Sequence, residues 1–310
     1  MRFFAKVPNI NFMAQRKTGL WLSAILTVVA ILLITFRGLN FGIDFTGGVL
    51  VEVSYPGTVQ LEEVREALAE GGYERAVVQF FGTAQEVLIR LPPAAEGADS
   101  AQVSTAILNA LGTQTPGIEL RRVEFVGPQV GEELTEKGGL AMLFAFMAIM
   151  VYIAFRFEWK FSVGCVIALM HDVIMTLGIL SIFQVEFDLT TLGGLLALIG
   201  YSNNETVVIY DRVRENLLGK RRAGVEEVVN LSINQTLLRS IITHLTTLLV
   251  LSALIAVGGA SVHSFSVALT IGVFVATYSS IYISTGTAIV LGVKREDLLP
   301  PQEEELEDVV

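Results

Sequence analysis

The chain has one cysteine and three histidines in 310 residues, and that scarcity excludes much of the chemistry a sequence can announce. Cys165 stands alone inside an apolar run, so no intramolecular disulfide is possible. No His-Glu-x-x-His pair and no Gly-x-Ser-x-Gly elbow occurs, and no nucleophile–base arrangement or metal cluster is visible. The chain therefore reads as a non-enzyme without metal or cofactor. The glycine-rich stretch GIDFTGG, residues 42–48, lacks the Lys and Ser/Thr of a phosphate loop; its glycines suit a tight chain path at a membrane surface. Basic residues are also in short supply: 21 Lys and Arg face 31 Asp and Glu, for a formal net charge of −10. Nothing gathers into the basic patch that nucleic acid requires.

What the chain has in excess is apolar surface. Hydrophobic residues make up 52% and the mean hydropathy is +0.60, too apolar for an ordinary soluble protein. Apolar runs near 19–36, 139–155, 161–183, 189–210, 240–258 and 265–292 are long enough, or nearly so, to cross a hydrocarbon core about 30 Å thick. That predicts six transmembrane helices in a multi-pass membrane protein. Lys and Arg collect in the N-terminus (Arg2, Lys6, Arg16, Lys17), after the second run (Arg156, Lys160), after the fourth (Arg212, Arg214, Lys220, Arg221, Arg222) and after the sixth (Lys294, Arg295). The short connections QVEFD and GGASVHS have neither residue. By the positive-inside rule both termini are cytoplasmic and the segment 37–137 lies outside. The first run is read as an anchor, because its flank TFRGLNFGIDF has no A-x-A-like cleavage site. The predicted organisation is a cytoplasmic N-terminus (1–18), a first helix (19–36), an outer domain (37–137), helices two to six (138–293) and an acidic cytoplasmic tail (294–310).

The outer segment has its own pattern. GVLVEVSY (48–55) alternates and is β-branched, as a strand requires. A helix follows with Val59, Val64, Ala67 and Leu68 on one face and Gly71 and Gly72 as its stop. AVVQFF and EVLIRL are strands joined near Gly82 and Thr83; the loop PPAAEGADS caps a helix over AQVSTAILNAL, and IELRRVEFV is the last strand. The order β-α-β-β-α-β is that of a ferredoxin-like module. Between the fourth and fifth runs, residues 212–236 are amphipathic, with Val225, Val228, Val229 and Leu231 beside a basic cluster, which predicts a cytoplasmic interfacial helix.

An ionisable group inside a bilayer costs at least about 2.5–3.5 kcal/mol, so such groups are functional candidates. Glu205, flanked by Asn203, Asn204 and Thr206, is the foremost. Burial raises a carboxyl's pKa and a nearby guanidinium lowers it, so a carboxyl held between the two can exchange a proton near neutral pH. Arg239 is the expected fixed cation, and the Thr243 and Thr246 hydroxyls extend a hydrogen-bond path. A static Glu205–Arg239 pair joining two helices is the plainer alternative. His171 and Asp172 form a secondary candidate pair; as helix neighbours they point about 100° apart and cannot face one partner. His244 reads as structural, near the cytoplasmic interface, and His263 as solvated. Small residues at Gly193, Gly194, Gly200, Gly272, Ser279, Ser280 and Gly286 suit close helix contact.

Five stretches together carry a family resemblance: GIDFTGG after the first run, VGPQVG before the second, GYSNNETVVIYDRVREN, SINQTLLRSIITHLTTLL and TYSSIYISTGTAIVLG. They resemble signature stretches of the SecD/SecF family of bacterial protein-export membrane proteins, on its SecF side, over essentially the whole chain. The resemblance implies half of an RND-superfamily transporter in the inner membrane. It also implies a complex with SecD beside the SecYEG channel, with YajC and YidC as further partners and unfolded preprotein as substrate. The proton-motive force would drive late steps of translocation. The family's fourth-helix motif usually reads Asn-Asp, whose aspartate is regarded as proton-responsive. Here the matching positions are Asn204 and Glu205, with the carboxylate one methylene further out, while Arg239 matches the family arginine and His171–Asp172 a common His-Asp pair. Two other functions stay open: a non-coupling scaffold for SecD and the translocon, and half of a proton-driven small-molecule exporter.

Overall fold

The computed structural model describes residues 8–81, 83–92, 100–112, 117–220 and 222–298. Arg2 and Lys6, the turn residue Gly82, most of the loop PPAAEGADS, Arg221 and the acidic stretch PQEEELEDVV lie outside the described residues.

Long helices dominate. They are α1 (Arg16–Phe36), α5 (Pro128–Arg156), α6 (Trp159–Phe183), α7 (Leu189–Gly219), α8 (Val225–Val257) and α9 (His263–Ser279). The last continues through one π turn, Ser280–Ser284, into α10 (Thr285–Val290). Among the described residues five helices are long and apolar enough to cross a membrane: Met13–Phe36, Pro128–Arg156, Trp159–Phe183, Val225–Val257 and His263–Val290. The exception is α7, whose 31 residues include Asn203, Asn204, Glu205 and a charged end from Asp211. Its own polarity follows from its position. It packs against α6, α8 and α9, burying Leu195, Leu198, Ile199, Ile209 and Tyr210 in the central core. The outer helices are the apolar ones: Trp21 and Phe36 on α1, Phe144 and Phe155 on α5, and Leu249 and Val257 on α8 are exposed, as side chains that face lipid or another subunit are.

No separate interfacial helix follows α7. Its last turns run to Gly219, and α8 begins at Val225, so residues 212–236 belong to the two long helices and the turn between them. The predicted apolar side is real, but Val228 and Val229 are buried in the central core. Asn216 of α7 reinforces the turn by donating to Ser232 Oγ at 2.8 Å and Gln235 Oε1 at 2.9 Å on α8.

The π turn has a local cause. It widens the backbone ladder and changes which carbonyls are engaged. Tyr210, fully buried on α7, donates to the Ser284 carbonyl at 3.1 Å. Gly164 of α6 allows this approach, since a Cβ there would lie 2.7 Å from the Ser284 carbonyl oxygen.

Outside the bundle stand β2 (Gly48–Ser54), α3 (Leu61–Glu70), β3 (Val77–Phe81), β4 (Thr83–Leu91), α4 (Ser100–Gly112) and β5 (Glu119–Val126). The strand order is β3-β4-β2-β5, every neighbour antiparallel, with Val51 paired to Ile89 on one side and Val123 on the other. Val49, Val51, Val53, Val87 and Ile89 pack on one face with Val64 and Leu68 of α3 and Ile107 and Leu111 of α4. Leu50 and Leu88 cover the other face with Ile43. Strand β2 is thus buried on both faces over Gly48–Val51 and alternates from Glu52 to Ser54.

The two bodies meet in a knot of short elements. After α1 comes β1 (Asn40–Phe41), which pairs in parallel with β6 (Glu186–Phe187) between α6 and α7. Then α2 (Ile43–Thr46) carries the chain into β2. Gly47 and Gly48 have φ of 69° and 128°, and a Cβ on Gly48 would sit 2.2 Å from the Leu91 carbonyl oxygen. Here only glycine fits. Gly131 of VGPQVG is similarly constrained: a Cβ would lie 2.9 Å from the Phe45 carbonyl oxygen and 3.1 Å from the Gly47 nitrogen. The two glycine motifs therefore fit against each other.

Candidate functional site

Glu205 points into the bundle and is 7% exposed. Facing it, α8 turns a stripe of Ser232, Thr236, Ser240 and His244 inward, all buried and four residues apart, the spacing that keeps side chains on one helix face. Ser240 Oγ donates to Glu205 Oε1, and His244 Nε2 lies 3.8 Å from Glu205 Oε2. The Tyr201 ring lies beside the imidazole, with centroids 5.6 Å apart.

Hydrogen-bond accounting fixes the imidazole tautomer. Thr277 Oγ1 of α9 donates its one hydrogen to the Val273 carbonyl at 2.8 Å. With that hydrogen on the carbonyl, the hydroxyl accepts from Nδ1–H of His244 at 3.0 Å. In the neutral ring Nε2 is left as a lone pair, and it has no hydrogen-bond partner of its own. That lone pair faces a carboxyl oxygen. In this dyad Glu205 Oε1 is met by the Ser240 hydroxyl, while Oε2 faces the imidazole nitrogen.

Arg239 is not part of this site. It is exposed, one residue before Ser240 and therefore about 100° round the helix from the stripe that meets Glu205. Thr243 Oγ1 donates to the Arg239 carbonyl at 2.9 Å and Thr246 Oγ1 to the Ile242 carbonyl at 3.0 Å. Both hydroxyls are engaged within their own helix and extend no path to the carboxyl. Asn204 is exposed, while Asn203 Oδ1 accepts from Cys165 Sγ at 3.4 Å. His244, placed at the interface by sequence reasoning, is instead a core residue of the site; the signal that could have found it was the four-residue polar stripe.

A second buried polar group lies between α6 and α7. Asp172, 1% exposed, accepts from Ser202 Oγ at 2.6 Å through Oδ2 and meets His171 Nδ1 at 3.2 Å through Oδ1. The neighbouring His and Asp thus partner each other. Ser202 and Glu205 are one turn apart on α7, so both clusters share a face of that helix. Thr176 Oγ1 and Thr206 Oγ1 are buried without hydrogen-bond partners in the same region. Among the described residues no group of three or more His, Cys, Asp or Glu could hold a metal ion.

Apolar helices around a polar one that carries a buried carboxyl, with an α/β body between the first two long helices, define a polytopic membrane protein with an ionisable centre. Residues 106–294 match the family profile described as protein export membrane protein SecD/SecF, C-terminal, and residues 32–55 match the SecD/SecF GG motif. The chain belongs to the SecD/SecF protein-export family. The protein translocase subunit SecF of Pseudomonas aeruginosa is 47% identical over 305 residues, covering 98% of each chain. That of Escherichia coli O157:H7 is 42% identical over 291 residues, covering 93% of this chain and 90% of its own. The crystal structure of SecDF, a translocon-associated membrane protein from Thermus thermophilus, superposes with a TM-score of 0.85 at 34% identity over 93% of this chain. SecDF in a super-membrane-facing form gives a TM-score of 0.68 at 36% identity. The chain spans 39% of the length of each SecDF chain.

Proposed function

We propose that the chain is a non-enzymatic protein translocase subunit of the bacterial inner membrane that couples proton movement to late steps of preprotein export. The observation that carries this reading is the buried Glu205 carboxyl 3.8 Å from His244 Nε2, an imidazole nitrogen with no hydrogen-bond partner of its own. In it α7 is the sixth membrane span, its polar residues screened by α6, α8 and α9. The outer β-α-β-β-α-β body is a ferredoxin-like domain on the periplasmic side, and both termini are cytoplasmic. SecD supplies the second half of the assembly, next to SecYEG with YajC and YidC, on unfolded preprotein. Exposed Arg239 and Asn204 favour such a neighbour, since a guanidinium in a long membrane helix is costly to leave against lipid. Energy comes from the proton gradient, with no cofactor.

The test is export of a preprotein with the cognate SecD, with and without a gradient, for Glu205→Gln, Glu205→Asp and His244→Gln. The reading expects Glu205→Gln to remove the gradient-dependent part and Glu205→Asp to retain some of it. His244→Gln should shift its pH dependence. If Glu205→Gln exports like the wild type, the protein is a scaffold and the dyad is structural.

A further inference from the structure

The GIDFTGG motif and the outer sheet leave one buried cation unexplained. Arg90 lies on β4, is 7% exposed, and projects from the sheet face opposite α3 and α4. Only one of its partners belongs to that sheet: Nη2 donates to Gln79 Oε1 at 3.1 Å. Nη1 donates to Asn40 Oδ1 at 3.2 Å and the Phe41 carbonyl at 3.1 Å, both in β1, and Nη2 lies 3.7 Å from Glu186 Oε2 in β6. A guanidinium can fork to several acceptors at once, and here the fork ties three strands from two bodies.

The loop it grips opens α7. Asp188 caps that helix by accepting from the Thr191 N–H at 2.7 Å, and Asp44 of GIDFTGG accepts from the Leu189 N–H at 2.9 Å. Gly42 N–H donates to the Phe187 carbonyl at 2.9 Å, and the rings of Phe41, Phe45 and Phe187 pack around the junction. Burial pushes the Glu186 carboxyl up from its usual range, against the pull of Arg90. From Leu189 the helix runs unbroken past Glu205, about 24 Å away at 1.5 Å per residue.

We propose that Arg90 is a positioning residue that fastens the outer domain to the start of α7, so that the domain and the Glu205-bearing helix move as one body. The step from joint to export rests on Glu205 acting as the proton carrier under the proposed function. Protonation of the dyad would then shift the outer domain through α7, and a load on the domain would act back on the dyad.

The experiment uses the full chain with its SecD partner in lipid nanodiscs, in a Cys165→Ala background, with spin labels at the exposed positions Glu66 on α3 and Glu215 on α7. Arg90→Ala, Arg90→Lys and Glu186→Gln are compared by pulsed dipolar distance measurement, with a Glu66–Gln85 pair reporting whether the outer domain itself is intact. The expected result is a narrow 66–215 distribution in the wild type. In Arg90→Ala and Glu186→Gln a displaced population grows about tenfold, the factor that about 1.4 kcal/mol gives, while 66–85 is unchanged. Arg90→Lys keeps the charge without the fork and falls between. Gradient-dependent export should drop with the displaced population. A 66–215 distribution that stays narrow in both Arg90→Ala and Glu186→Gln overturns the proposal. So does a displaced domain with undiminished gradient-dependent export. Glu186 lies outside the outer sheet and meets it only through side chains, those of Arg90 and Gln79, so Glu186→Gln decides the matter if Arg90→Ala misfolds. If Glu205→Gln leaves export unchanged, the functional reading fails by itself, and the distances still judge the joint.

Discussion

Replacing Gly164 by alanine tests the packing at the centre of the bundle most sharply. The added Cβ would lie 2.7 Å from the Ser284 carbonyl oxygen, 2.8 Å from the Tyr210 hydroxyl and 3.4 Å from the Ala288 nitrogen. Ordinary contact begins near 3.4 Å, so two neighbours must each give about 0.6–0.7 Å. Neither is free to do so. The carbonyl is backbone in the π turn, and Tyr210 is wedged against Phe161, with ring centroids 4.6 Å apart, and Phe157 at 6.0 Å. Overpacking of this kind costs about 1–3 kcal/mol. If the tyrosine yields, its hydrogen bond to Ser284 adds about 0.5–1.5 kcal/mol. Gly164→Ala should therefore destabilise by about 1.5–4.5 kcal/mol in reversible unfolding from mixed micelles. Gly139→Ala and Gly193→Ala, whose added methyls meet open space, are the controls. They should be neutral or stabilising by up to about 1 kcal/mol, through helix propensity. If Gly164→Ala unfolds like the controls, α6 does not approach the π turn this closely, and the missing Cβ is not what admits the Tyr210 bond.

In the outer domain, Gly48→Ala should cost at least the strain of its φ, about 1–3 kcal/mol, and loosen the β2–β4 pairing; wild-type protease resistance of that domain would contradict a register that sets Gly48 against Leu91. Burial raises the carboxyl of Asp44, so its contribution to stability is full at acid pH and is lost as pH rises through its folded-state value. Melting of the junction between pH 4 and 8 should accordingly soften with rising pH, and Asp44→Asn should flatten the slope; an unchanged slope would sink this. Asn234 holds the N-terminal strap through both Ile10 backbone groups, at 2.9 and 2.8 Å. Asn234→Ala should cost about 1–3 kcal/mol and open the strap to proteolysis, with wild-type cleavage kinetics as the contrary result.

The long helices and the succession of strands and helices along the outer segment are legible in the sequence because each rests on a local pattern: apolar runs of membrane length, and alternation broken by glycine. The polarity of Glu205 is legible for the same reason. Its partner is not. Arg239 and Ser240 are adjacent letters, and choosing between them requires the rotational phase of α8, which the apolar residues conceal because they fall on every face of it. Phase is still recoverable from Ser232, Thr236, Ser240 and His244, whose spacing of four marks one face. The division between α7 and α8 escapes a reading by pattern because an amphipathic stretch looks alike whether its apolar side meets lipid or, as for Val228 and Val229, the protein's own core. The junction around Arg90 is beyond reach, since its partners at 40, 41, 79 and 186 are joined by tertiary structure alone.

The π turn at Ser280–Ser284 bears on how the length of this chain can drift. A π turn is equivalent to one residue inserted into an α-helix. Deleting a residue from 280–284 would let α9 and α10 close into a regular helix while Gly272 and Ala276 before it, and Gly286 and Ala288 after it, kept their present directions. A deletion elsewhere in the same helix would instead swing everything beyond it by about 100° and expose that packed face. Single-residue indels in this helix should thus be tolerated at one place only, and the bond given up there would be the one Tyr210 makes to the Ser284 carbonyl.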